Sequence, residues 1–180
     1  MIDFNAKKIT RAAIFVALSF VISFIEFPLF PQASFLKLDF SNVFILIGGF
    51  SLGPIYGVII LLCKELLCLF KTTTYVGQIA NFLMGLSYIL VPTVAYKYKK
   101  GIKLVVITLV ISTLIQTGVS LLVNRFINFP LFLKGMPLQA IIETFNSMFW
   151  VIVLFNLIKG IVIGILTILL YKRTKKILKI

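Results

Sequence analysis

The sequence predicts an all-α integral membrane protein of six transmembrane helices, with both termini cytoplasmic and a long packed external loop after helix one. Composition, segmentation and charge placement lead there. The 180 residues are 61% hydrophobic and only 13% charged, whereas a soluble domain carries roughly a quarter charged residues. Apolar segments run over about 10–27, 41–70, 77–96, 102–124 and 142–171, each long enough to cross a bilayer, which needs about 20 apolar residues. The basic residues collect between them: Lys7, Lys8 and Arg11; Lys97, Lys99, Lys100 and Lys103; Lys172, Arg173, Lys175, Lys176 and Lys179. Such clusters mark cytoplasmic loops.

Residues Met1 to Arg11 precede the first apolar segment, and no A-x-A cleavage site follows it. It reads as a first membrane helix over about 8–27, not as a removable signal peptide. Segment 41–70 is too long for one ordinary span and contains Gly48, Gly49, Gly53 and Pro54, residues that break or kink helices. Parity decides how it divides. An even number of crossings must separate the first two basic clusters. One span over 41–70 gives an odd number, and a split at Ser51–Pro54 gives an even one. Helices two and three are then short, at about 41–51 and 54–71. Helices four, five and six follow at about 77–97, 102–124 and 142–172, all in one domain over 1–180. External loops fall at about 28–40, 72–76 and 125–141. The first, with Pro28, Phe30, Pro31, Phe35, Lys37 and Asp39, is apolar for a solvated loop. It packs on helix ends or covers a ligand site.

Several functions are excluded by what is missing. The net charge of +13 suits anionic lipid headgroups, but no soluble scaffold presents it to nucleic acid. Cys63 and Cys68 lie inside an apolar run and have neither disulfide-framework nor zinc spacing. The absence of histidine removes imidazole relays and His-based metal sites. Neither a phosphate-cradling glycine loop with its Lys nor a nucleophile elbow is present, so active transport must draw on an ion gradient or on other subunits.

The informative residues are polar ones inside the spans, where an ionisable group costs a few kcal/mol. Lys159 lies near the middle of helix six, too deep to snorkel easily, and Asn156, three residues earlier, shares its face. The pair is either a structural bond or part of a substrate path. Asn124, in N-R-F-I-N-F-P, reads alone as a helix C-cap. Gln78 and Asn81 share a face of helix four and suit interhelical bonding or ligand contact. Lys64 and Glu65 on helix three point about 100° apart, with partners the sequence does not identify. Asp39 and Glu26 are acids near the external side. On helix one, Ala13-Ile-Phe-Val-Ala17 is a small-x-x-x-small ridge; taken by itself, packing within the bundle explains it.

These features come together in a resemblance. Phe27 to Asn42, F-P-L-F-P-Q-A-S-F-L-K-L-D-F-S-N, is similar to the first external loop of the riboflavin-binding S-components of energy-coupling-factor transporters. Gly53-Pro54, V-G-Q-I-A-N-F at 76–82, Asn124 with Pro130, and F-N-L-I-K-G at 155–160 follow in the family's order across nearly the whole chain. The resemblance implies a vitamin binder of the bacterial plasma membrane, not an enzyme, with riboflavin as transported ligand and no cofactor. It implies docking onto a transmembrane coupling subunit driven by two ATPase subunits, through the ridge of Ala13 and Ala17. Flavin contacts fall on Asn124, Asn156 and Lys159, with the first loop closing the pocket. Phe35, Leu36, Lys37 and Asp39 of that loop, with Gln78 and Asn81, complete the candidate set. Arg125, directly after Asn124, departs from the pattern. A stand-alone secondary transporter is the rival outside the family, opposed by few buried carboxylates and no evident inverted repeat. An S-component for another vitamin is the rival within it.

Overall fold

The structure, a computed structural model, describes residues 5–71 and 75–178, without the side chains beyond Thr174. The side chains of Lys175 and Lys176, Lys179 as a whole, and residues 72–74 of the 72–76 loop therefore lie outside the described part of the chain. The chain folds into a helical bundle: α1 (Ala6–Ile22), α2 (Ser41–Leu52), α3 (Pro54–Cys68), α4 (Val76–Tyr98), α5 (Ile102–Val123), the short α6 (Phe129–Phe132) and α7 (Leu138–Leu178). Three helical stretches, Val76–Tyr98, Ile102–Phe132 and Leu138–Thr174, are long and apolar enough to cross a membrane, and Ser41–Leu52 is a shorter apolar helix. Their outer faces carry large apolar side chains in the open, among them Ile107, Leu114, Leu122, Trp150 and Ile161. A soluble monomer does not expose so broad an apolar surface.

Local chemistry sets the helix ends. Asn5 caps α1, its side-chain oxygen accepting the Lys7 N–H at 3.1 Å. Between α2 and α3 the chain turns at Gly53, whose φ of 105° is open to glycine at little cost. Pro54 then opens α3, where its missing N–H costs nothing.

Two stretches differ from the sequence reading. Helix one ends at Ile22 rather than near 27, because Glu26–Pro28 (β1) pairs antiparallel with Lys37–Asp39 (β2). The first external loop is thus a hairpin, a local departure from an all-α chain. Residues 125–132 are helical rather than loop: α5 continues through a wide π-type turn at Asn124–Asn128 into α6. Pro130 gives the reason. It has no N–H, and its ring would clash with the carbonyl four residues back, so the backbone widens just before it.

The core has two parts. In one, α1, α2, α3, α4 and α7 bury Ile45, Leu46, Ile60, Leu61, Tyr88 and Ile163, and Tyr96 and Tyr171 share a hydroxyl hydrogen bond of 2.7 Å. In the other, Ala33, Leu36 and Leu38 of the hairpin loop pack on Phe129, Phe145, Ile152 and Phe155. That accounts for the apolar character of the loop: it is a second core over the end of α7.

The α5–α7 contact fixes the spacing of the polar side chains described below. A Cβ added at Gly160 would meet Thr113 Cγ2 and Oγ1 at 2.5 Å and its Cβ at 2.9 Å. Thr113 cannot swing away freely, since its hydroxyl donates to the Leu109 carbonyl at 2.9 Å. Gly160→Ala should therefore cost about 1–3 kcal/mol, the usual range for overpacking, read as a lowered melting temperature in detergent. Unchanged melting would show that the two helices are not in tight contact.

Candidate ligand-binding site

Between the hairpin and helices α3, α4, α5 and α7 lies a cavity of about 250 Å³. All nine ligand-contact candidates line it: Phe35, Leu36, Lys37 and Asp39 from the hairpin, Gln78 and Asn81 from α4, Asn124 after α5, and Asn156 and Lys159 from α7. Residues 120 positions apart meet here because the hairpin folds back over α7, placing Asp39 Oδ2 at 3.4 Å from Lys159 Nζ.

Asp39 anchors this corner. Its other oxygen accepts the Ser41 N–H at 2.9 Å and the Ser41 hydroxyl. Burial alone would raise the carboxyl's pKa, but Lys159, Lys64 and the Ser41 bonds overcome it and hold Asp39 well below the usual carboxylate range. Asp39 is therefore an anion at neutral pH and a counterion for Lys159. The Lys159 ammonium also lies 5.9 Å from the centre of the Phe155 ring, another wall residue.

Lys64 and Glu65, left without partners by the sequence, are each other's: Nζ sits 2.8 Å from Oε1, with both side chains buried. Adjacent long side chains can curl together despite their 100° divergence. At the rim, Glu26 is held between Lys37 at 3.0 Å and Lys71 at 3.6 Å. Lys71 also donates to the Ser23 carbonyl at 2.6 Å, fastening the start of the hairpin to the end of α3.

The asparagines form a ladder. Asn156 donates to Ser120 Oγ at 2.7 Å and the Ile152 carbonyl at 2.9 Å, and accepts from Gln116 Nε2 at 3.3 Å. Asn124 donates to the Ser120 carbonyl at 2.8 Å and accepts from Asn128 Nδ2 at 3.0 Å. Asn124 is thus no terminal cap, because the helix runs on through it. The donors of both amides are used within the protein, so their direct offer to a ligand is mainly the remaining oxygen lone pair. Among the described residues, Gln116 Oε1, Asn128 Oδ1 and Glu65 Oε2 are buried acceptors with no partner, and all three residues line the cavity. Buried polar atoms are normally bonded, so three orphaned acceptors around one cavity leave it able to take up hydrogen-bond donors.

Gln116 and Asn128 were not candidates in the sequence, yet a signal was there. Ser112, Gln116, Ser120, Asn124 and Asn128 recur every fourth residue, a polar stripe on one face of an otherwise apolar helix. Among the described residues no three Cys, Asp or Glu gather to hold a metal ion.

Outside the cavity lining, α1 turns Ala12, Phe15 and Ser19 inward and leaves Ala13 and Ala17 exposed. The small-residue ridge is therefore not spent on packing within the bundle, contrary to the simplest explanation of the pattern.

The comparisons with known proteins agree with this architecture. The profile of the family described as ECF transporter, substrate-specific component, matches residues 7–171. Riboflavin transporter RibU of Staphylococcus aureus is 39% identical over 178 residues, covering 96% of this chain and 93% of that protein. Riboflavin transporter FmnP of Bacillus subtilis is 27% identical, covering 95% of this chain and 93% of that protein. A solved structure described as the S component of a bacterial ECF transporter superposes with a TM-score of 0.80 at 38% identity, covering 97% of this chain and 98% of that one.

Proposed function

This chain belongs to the substrate-specific components of ECF transporters, and from that premise we propose that it captures riboflavin in the cavity under the hairpin and delivers it to a coupling module. It is a transporter subunit, not an enzyme. The observation that carries the ligand assignment is the likeness, over nearly the whole chain, to a transporter named for riboflavin. The cavity's chemistry suits that ligand. Riboflavin joins a flat apolar ring system to a polyhydroxyl tail. Phe35, Leu36, Phe132 and Phe155 provide apolar wall, and Asn124, Asn128, Gln116, Asn156 and Lys159 provide polar contacts, the mixture such sites use. Within this assignment Asn81 and Gln78 face the ligand from α4, while Lys37 and Asp39 hold the loop over it.

The finer picture follows from the charge pattern. We place six helices, α1 to α5 and α7, in the plasma membrane of a bacterium, with Gly53, the 97–103 loop and both termini cytoplasmic. The sequence has no ATP-binding loop, so energy comes from a transmembrane coupling subunit and two ATPase subunits, which meet this chain at the exposed ridge of Ala13 and Ala17. Single cysteines placed at Gly53 and at Lys100 should resist an impermeant thiol reagent applied to intact cells. Labelling of either from outside would sink this topology.

The ligand assignment is tested by titrating purified protein with riboflavin, thiamine, biotin and folate. Riboflavin should bind far more tightly than the others, with its fluorescence quenched in the aromatic cavity. Preference for another vitamin would replace the assignment and leave the family membership intact. Uptake that persists in cells lacking any coupling module would instead favour a stand-alone secondary transporter.

A further inference from the structure

The cavity's charges are arranged asymmetrically. Each of its three lysines has an acidic partner already: Lys37 on Glu26 at 3.0 Å, Lys64 on Glu65 at 2.8 Å and Lys159 on Asp39 at 3.4 Å. The acidic side is not used up. Glu65 Oε2 is buried without a partner, in a residue only 5% exposed on the cavity wall. Gln116 Oε1 and Asn128 Oδ1, at 2% and 7% exposure, add unpaired acceptors. What the wall lacks is hydrogen-bond donors from the ligand. A hydroxyl supplies one. A phosphate group supplies essentially none, and it adds negative charge beside the carboxyl groups of Asp39 and Glu65, each paired with one lysine.

We propose that the Lys64–Glu65 pair is a charge filter that makes the cavity selective for the neutral, hydroxyl-ended flavin over its phosphate ester, with Glu65 as the specificity-determining residue. The proposal rests on the riboflavin reading and adds to it a reason for rejecting the phosphorylated form. Glu65 acts in two ways. Its Oε1 occupies the Lys64 ammonium at 2.8 Å, a cation of the cavity wall that could otherwise receive a phosphate. Its Oε2 accepts a ligand hydroxyl and repels an anion placed in the same position. Like-charge contacts in a desolvated site are costly, because the effective dielectric there is far below that of water. Selection by building a repulsive element against the wrong ligand is a general route to specificity.

Glu65→Gln tests this, since it keeps length, shape and an acceptor oxygen while removing the charge. Purified parent and variant are titrated with riboflavin and, separately, with riboflavin 5′-phosphate freed of riboflavin, following flavin fluorescence. In the variant, the ratio of the phosphate ester's dissociation constant to riboflavin's should fall by about tenfold or more, the scale expected when one like charge is removed from a poorly solvated contact. If Glu65 merely pairs with Lys64 for stability, both affinities fall together, the ratio holds, and the proposal is overturned. Asn81→Asp is the reciprocal variant. It adds a carboxylate to the same cavity on a different helix and should raise the ratio; a lowered or unchanged ratio also counts against a charge filter. Failure of the parent protein to bind riboflavin at all would refute the underlying assignment instead, and the parent titration reads that separately.

Discussion

A double replacement of Ala13 and Ala17 by Trp should abolish riboflavin uptake by cells and leave the purified protein's riboflavin affinity nearly unchanged. The expectation comes from where the two alanines are. Both lie on the outward side of α1, opposite the buried Ala12, Phe15 and Ser19, and neither lines the cavity. Small residues spaced four apart let the backbone of another helix approach closely, and within a bilayer that approach is a main source of helix–helix association. Two indole rings would hold a partner helix several ångströms away while meeting only lipid in the isolated protein. Sites that share no partners tend to behave independently. Uptake should therefore fail through loss of docking, with a parallel loss of the coupling subunit in pull-downs from membranes. Retained uptake in cells expressing the double variant would remove the ridge as a docking surface. Loss of binding together with uptake would instead mean that the bundle is distorted.

The parts of the fold visible in the sequence were those governed by local chemistry and by the bilayer. Gly53-Pro54 could be placed as a break because glycine and proline dictate backbone geometry wherever they occur. Long apolar runs identify helices because a bilayer leaves few alternatives. The hairpin was less legible. Glu26 and Lys37 become strand neighbours only when the loop folds back, and apolar residues such as Leu36 and Leu38 give no strand signal in so short a segment. The π-type turn at Asn124–Asn128 follows from Pro130, but a proline can end a helix or widen it, and packing of Phe129 against Phe145 decides between them. Around the cavity, Asn156 and Lys159 stand out as polar groups isolated in an apolar run, whereas Asn124 by itself reads as a helix C-cap and joins the candidates only through the family resemblance. Gln116 and Asn128 carry a fainter signal, a four-residue spacing with Ser120 and Asn124 along an otherwise apolar helix. Asp39 could be named as an acid, but its pairing with Lys159 across 120 residues is tertiary information.

Lys159→Met should weaken riboflavin binding by about 10- to 100-fold. An ammonium has three donors; one is given to Asp39 Oδ2, and Lys159 lines the cavity, where the others can meet a ligand. A hydrogen bond to a charged group contributes about 1.5–3 kcal/mol, which converts to that range at 1.4 kcal/mol per tenfold. Asn156→Leu should have a smaller effect, about 0.5–1.5 kcal/mol for a neutral bond, and it should act indirectly. Asn156 spends its donors on Ser120 and Ile152 and holds Gln116 in place, so its loss releases Gln116 from the wall. Because the two residues lie within one turn and serve one cavity, their effects should not add. A purely structural Lys159 gives a different pattern. Removing one partner of a buried ion pair leaves the other uncompensated, which costs about 3–5 kcal/mol of stability. Adding Asp39→Asn would then restore the melting temperature, and riboflavin affinity would be unchanged in every variant that folds. If Lys159 contacts the ligand, the double variant regains stability but not affinity. Measuring melting and riboflavin affinity on the same preparations separates the two, because stability follows the pair whereas affinity follows the ammonium alone.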